Sequence, residues 1–99
     1  MALVFRWSET KAKLNRSKHR IGFEEAKTVF NDPLLVTFPD EYHSEDEERY
    51  ISIGASTHSR LLVVVHTEYE KPDGTLVIRI ISSRKATTLE RVTYETESG

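Results

Sequence analysis

The sequence predicts an α+β domain with two N-terminal helices, a four-stranded antiparallel sheet and a short C-terminal helix, the helices packed on one face of the sheet. Three observations carry that expectation. Apolar residues recur at helical spacing as far as Phe30, and beyond Leu34 they alternate or run in strand-length blocks. Between the two regimes stands Asp32-Pro33, and proline cannot continue a helical hydrogen-bond ladder. The 99 residues are 37% hydrophobic and 30% charged, which suits one folded domain over residues 1–99 rather than a disordered chain.

Each element has a local reason. Phe5-Arg6-Trp7 is a short apolar start, and Ser8 can then cap a helix running to about His19 by accepting from a first-turn amide. Lys11, Asn15, Lys18 and His19 share one face of that helix. A second helix is expected from Phe23 to Asn31, with Gly22 at its N-cap and Phe23, Ala26 and Phe30 on its apolar face. Strands follow at 34–38 ("LLVTF"), 49–56 ("RYISIGAS"), 61–69 ("LLVVVHTEY", the most apolar and so central) and 76–82 ("LVIRIIS"). The last two are joined by "EKPDGT", in which Pro72 presets φ while Asp73 and Gly74 tolerate turn geometry. Thr87-x-x-Glu90 has capping-box spacing and opens the C-terminal helix.

Composition narrows the function. The chain has no cysteine, so disulfides, thiolate zinc sites and thiol catalysis are excluded. The longest apolar run is the five-residue Leu61–Val65, and "MALVFRW" lacks the charged start and cleavage site of a signal peptide. A cytoplasmic protein with no membrane partner is expected. The net charge of −2 hides a separation: residues 1–20 hold six Lys/Arg against Glu9, whereas residues 40–48 hold six carboxylates and no Lys/Arg. A locally basic surface can attract phosphate on a nearly neutral protein, although both stretches also read as solvated faces.

The sharpest question lies in "IRIISSRKATTLER". By alternation Arg79 shares a sheet face with Val77 and Ile81, with Arg84 and Lys85 just past the strand end. A guanidinium's planar fork matches phosphate oxygens, and converging cations would stabilise a pentacoordinate phosphorane. The alternative is an ion pair from Arg79 to Glu68 or Glu48 across the sheet. His43 and His58 fall in loops and His66 on a strand beside Glu68, with neither ligand nor triad spacing among them. His19 stands apart, on the basic helix face at a helix end that favours a cation. The acidic 40–48 loop lacks the alternating ligands and central glycine of a calcium loop, and no phosphate loop, nucleophile elbow or HExxH occurs; no metal or cofactor is expected.

Phe5-x-Trp7, Lys11, Asn15, Lys18-His19, "FEEA", Phe30-x-Asp32-Pro33, "EER", "SRLLVVVHTE", "IRIISSRKAT", Glu90-Arg91 and Tyr94 occur in an order that resembles the BrnT toxin family over essentially the whole chain. The resemblance implies a RelE-like ribonuclease fold and a toxin of a type II toxin–antitoxin module. It further implies an RNA substrate, cleaved without a metal to inhibit growth, and neutralisation by a BrnA-like ribbon-helix-helix antitoxin, through which alone operator DNA would be bound. The site residues it implies are Arg79, Arg84, Arg49, Glu48 and His19 in catalysis, with Lys11, Lys18, Lys85 and Tyr94 binding RNA. Two positions depart from the family pattern. Ser8 replaces a usual aspartate, and Arg20 replaces a glycine, which would strain the chain if that position needs positive φ. The competing expectation is a domain of the same fold that binds RNA or a partner protein without cutting.

Overall fold

The computed structural model describes residues 2–43 and 47–98; the solvated-loop expectation for the acidic 40–48 stretch falls partly outside them. The chain forms β1 (Leu3–Arg6), α1 (Glu9–His19), α2 (Phe23–Ala26), β2 (Val36–Pro39), β3 (Tyr50–Ala55), β4 (Leu61–Glu70), β5 (Leu76–Lys85) and α3 (Thr88–Ser98). The sheet runs β1-β5-β4-β3-β2.

Three features correct the expected architecture while keeping the α+β class. The sheet has five strands and is mixed, because β1 pairs with β5 in parallel, Leu3 opposite Leu76 and Arg6 opposite Arg79. A four-residue strand that joins its partner from seventy residues away leaves no local mark beyond a few apolar residues. Next, the second helix is α-helical only through Ala26 and continues to Asn31 as a 3₁₀ helix. Thr28 donates its hydroxyl to the Glu25 carbonyl at 2.6 Å, in competition with the backbone ladder. Third, the helices do not share one face. Ile21, Phe23, Ala26 and Val29 pack with Leu62, Val64, Ile78 and Ile80, whereas Tyr94 of α3 joins Ile53, Leu61 and Val63 behind the sheet. The two faces are called here the front (α1, α2) and the back (α3).

Local chemistry explains the rest. Ser8 caps α1, its hydroxyl accepting from the Lys11 amide at 3.3 Å. Arg20 ends α1 in the left-handed region (φ 61), so the position where the family pattern has glycine does require positive φ. The β4–β5 turn closes through Gly74 at φ 89, with Asp73 accepting from the Thr75 amide at 2.9 Å. Glu25, buried at the start of the chain's second helical segment, ties it to the β3–β4 turn. It accepts from Ser56 at 2.7 Å and pairs with Arg60, which holds its carboxyl down at about 2.

β5 is longer than its apolar pattern suggests and contains a bulge. Val65 pairs with Ser82 but His66 pairs with Ile80, leaving Ile81 unmatched. The extra residue shifts the alternation for the rest of the strand. Arg79 opposite Thr67 and Arg84 opposite Val63 therefore both lie on the back, although their odd separation would put them on opposite faces of a regular strand. Arg84 and Lys85, expected past the strand end, are its last two residues.

Candidate nucleic-acid interface

β1 covers β5 only as far as Arg79, and beyond it α1 supplies the missing edge partner. The Asn15 amide donates to the Ser83 carbonyl at 2.9 Å and accepts from the Ser83 amide at 3.0 Å, as a neighbouring strand would. It also donates to the Ile21 carbonyl at 3.0 Å. This docking fixes a groove of about 200 Å³ lined by Lys11, Asn15, Lys18, His19, Ile81 and Ser82. Lys11, Lys18 and His19, all expected from the sequence, thus line one groove, and its Ser82 wall belongs to the back-face row between Arg79 and Arg84.

The two arginines of β5 do not meet. Their partners on β4, Thr67 and Val63, are four residues apart, which separates the arginine positions by about 13 Å along the sheet. Arg84 sits where α3 begins. Its Nη1 and Nη2 donate to Glu90 Oε1 and Oε2 at 2.7 and 2.8 Å, a bidentate clamp. Glu90 closes the expected capping box as well: Thr87 N donates to Glu90 Oε1 at 2.9 Å and Glu90 N donates to Thr87 Oγ1 at 3.2 Å. The Arg84 guanidinium, with the Thr87 amide and hydroxyl, holds the Glu90 carboxyl at about 2.

Arg79 is held differently. Its one ion pair among the described residues is with Glu47, at 3.5 Å, and both side chains are nearly half exposed. Glu47 precedes β3, so this pair links the β3 side of the sheet to β5, and Thr67 on the intervening β4 is buried. The β2–β3 ladder continues one residue past Tyr50, where Asp40 N donates to the Arg49 carbonyl at 2.7 Å. By alternation from Tyr50, Arg49 belongs to the back, at the level of Thr67 and Arg79. Glu48 takes the other side, accepting from Tyr50 Oη at 2.9 Å. Both Glu48 and Arg49 also line an open recess of about 380 Å³ with Pro39, Glu41 and Tyr50.

Two comparisons bear on what this arrangement belongs to. The family model described as "Ribonuclease toxin, BrnT, of type II toxin-antitoxin system" matches residues 7–90. The chain belongs to the BrnT family. The crystal structure of the Brucella abortus ribonuclease toxin, BrnT, is similar with a TM-score of 0.62 and 20% identity, covering 89% of this chain and 100% of that one. At that identity the likeness speaks for the fold alone. No curated protein sequence matches the chain.

Within this BrnT-family fold the expected site residues fall into four places. Arg79 occupies the open end of the back face, to which alternation from Tyr50 also assigns Arg49, and Glu48 bonds Tyr50 on the other side. Arg84 and Tyr94 sit at the α3 junction, where Tyr94 Oη donates to Asp32 at 2.6 Å and is pushed up to about 12 by burial and that carboxylate. Lys11, Lys18 and His19 line the groove, while Lys85 pairs with Leu62 and is exposed on the front. Sequence reasoning missed Glu47, Thr67 and Arg6, all of which depend on cross-strand register. The packing role that a lone histidine suggests holds for His66, which is fully buried. His66 Nε2 lies 2.7 Å from Ser52 Oγ, which lies 2.8 Å from Thr37 Oγ1; its ring meets Phe30 edge-on at 5.0 Å, and burial lowers its pKa to about 4.

Proposed function

We propose that this chain is the toxin of a type II module and an endoribonuclease that works without a metal ion. One observation supports the reading: Arg79 lies on the back of the sheet beside Thr67 and makes a single long contact to the half-exposed Glu47, and alternation from Tyr50 puts Arg49 on the same face. In the reaction the ribose 2′-hydroxyl attacks the adjacent phosphorus. A 2′,3′-cyclic phosphate forms and the bond to the 5′-oxygen breaks. A carboxylate from the 47–48 segment takes the 2′-hydroxyl proton, a second group returns a proton to the 5′-oxygen, and the guanidiniums neutralise charge on the phosphorane. Arg79 is the ligand of the scissile phosphate in this proposal, and Arg49 its partner.

Lys11, Lys18 and His19 contribute phosphate contacts along the α1–β5 groove, giving sequence-tolerant, salt-sensitive binding of single-stranded RNA. Arg84 and Tyr94 act chiefly by holding α3 in place, because both already engage a carboxylate. A BrnA-like antitoxin of ribbon-helix-helix type neutralises the toxin in the cytoplasm, and operator DNA is reached through that partner. Among the described residues no helix is long and apolar enough to cross a membrane.

The test is incubation of purified protein with single-stranded RNA in EDTA. Cleavage to 2′,3′-cyclic phosphate ends, abolished by Arg79→Ala, is the expected result. Intact RNA in a stable complex would instead establish the competing reading of a domain that binds without cutting.

A further inference from the structure

The parallel pairing of β1 with β5 places Arg6 opposite Arg79. The neighbouring pair Phe5–Ile78 faces the front core, where Phe5 meets Phe30 at 5.5 Å between ring centroids. Arg6 and Arg79 therefore both belong to the back. Across the sheet at this level the row reads Arg6, Arg79, Thr67, Arg49, with about 4.8 Å between adjacent strands.

Like charges side by side on neighbouring strands disfavour the sheet. Arg6 is exposed and has no ion pair among the described residues. The acid nearest in sequence, Glu9, is occupied by accepting from Trp7 Nε1 at 3.1 Å. Arg6 and Arg79 thus stand side by side on the back of adjacent strands, Arg6 without an ion pair among the described residues and Arg79 with only the long contact to Glu47. An extended polyanion crossing these strands would meet both guanidiniums.

We propose that Arg6 is a further RNA-backbone contact, binding a phosphate one step outward from the one held by Arg79, so that the RNA runs across the strands from β3 towards the β1 edge. This rests on the ribonuclease reading above and adds a direction and a boundary to it. Arg6 binds and positions RNA; it takes no part in the bond-making step.

The experiment is fluorescence anisotropy with a uniformly 2′-O-methylated oligouridylate, which cannot be cleaved, titrated at several salt concentrations. Arg6→Ala is expected to weaken binding about three- to tenfold at low salt and to reduce the slope of log K against log salt by about 0.7, the value for one phosphate contact on a single strand. Arg6→Lys should keep the slope. Lys27→Ala, which removes a cation paired with Glu24 at 2.9 Å on another part of the surface, is the control. If Arg79→Ala weakens binding while Arg6→Ala matches wild type in affinity and slope, this inference fails and the ribonuclease reading stands. If wild type does not bind the oligonucleotide at all, both fail. A loss of antitoxin affinity on Arg6→Ala with RNA binding intact would assign the row to a protein partner and also overturn the inference.

Discussion

The two ends of the back-facing row on β5 carry the same residue in opposite circumstances. Arg84 gives two short, parallel hydrogen bonds to Glu90 at 2.7 and 2.8 Å, and Glu90 also caps the helix that covers this end of the face. Arg79, four positions along the partner strand, makes one long contact of 3.5 Å to a half-exposed Glu47, with no helix above it among the described residues. On the proposed reading, the difference divides one residue type between structure and function. A guanidinium already matched to a carboxylate fork has little left for a ligand, whereas one held at a single distant oxygen is poised to exchange that partner for a phosphate.

Removing each arginine should separate those roles. Arg79→Ala is expected to lower RNA cleavage at least 100-fold, a loss of about 2.7 kcal/mol in transition-state stabilisation, with a melting temperature close to wild type. Both partners of its ion pair are solvated, and such pairs contribute little to folding. Arg84→Ala should do the reverse: a loss of about 1–2 kcal/mol in stability by urea denaturation, reduced from a fully buried value because Arg84 is 42% exposed. Cleavage per folded molecule should fall much less than for Arg79→Ala.

How much of this contrast is legible in the sequence depends on the range of the interaction behind it. The Thr87-x-x-Glu90 box, the Ser8 cap and the Pro72–Gly74 turn are local, and each forms as its spacing predicts. Simple alternation places Arg79 correctly, because it precedes the bulge. It misplaces everything after Ile81, since one unmatched residue reverses the faces and nothing in "RIISSRK" marks where it falls. The parallel β1–β5 pairing is equally hidden: it is non-local, and with it goes the Arg6–Arg79 juxtaposition. Asn15 shares a helix face with Lys11 and Lys18 in the sequence, yet only the docked fold shows that it serves as a strand edge for Ser83.

Acid should loosen the clamped end, as it should the Glu25–Arg60 pair, whose carboxyl is also held at about 2. Glu90 has a folded pKa of about 2, below its ordinary 4.5, so its stabilising contribution is complete above about 4.5 and is lost as pH falls towards 2. Melting temperatures measured from pH 5 to pH 2 should fall with a slope that Glu90→Gln reduces, because the variant has no proton to take up there. An unchanged slope would mean that the Arg84 clamp does not hold α3 in solution.

The smallest expected effect concerns the C-terminal end of α1. Arg20 pays the left-handed penalty at φ 61, so Arg20→Gly should stabilise the protein by about 0.5–1 kcal/mol in denaturant unfolding. It should do so without altering the contrast between Arg79 and Arg84, since it touches neither.

The central claim is that Arg79 serves the reaction and Arg84 the fold. Single-turnover cleavage of one single-stranded RNA in EDTA, with wild type, Arg79→Ala and Arg84→Ala at equal concentrations of folded protein, tests it most directly. A rate for Arg79→Ala at least tenfold below that of Arg84→Ala is the predicted result. Equal rates, or a slower Arg84→Ala while it remains folded, would contradict the account.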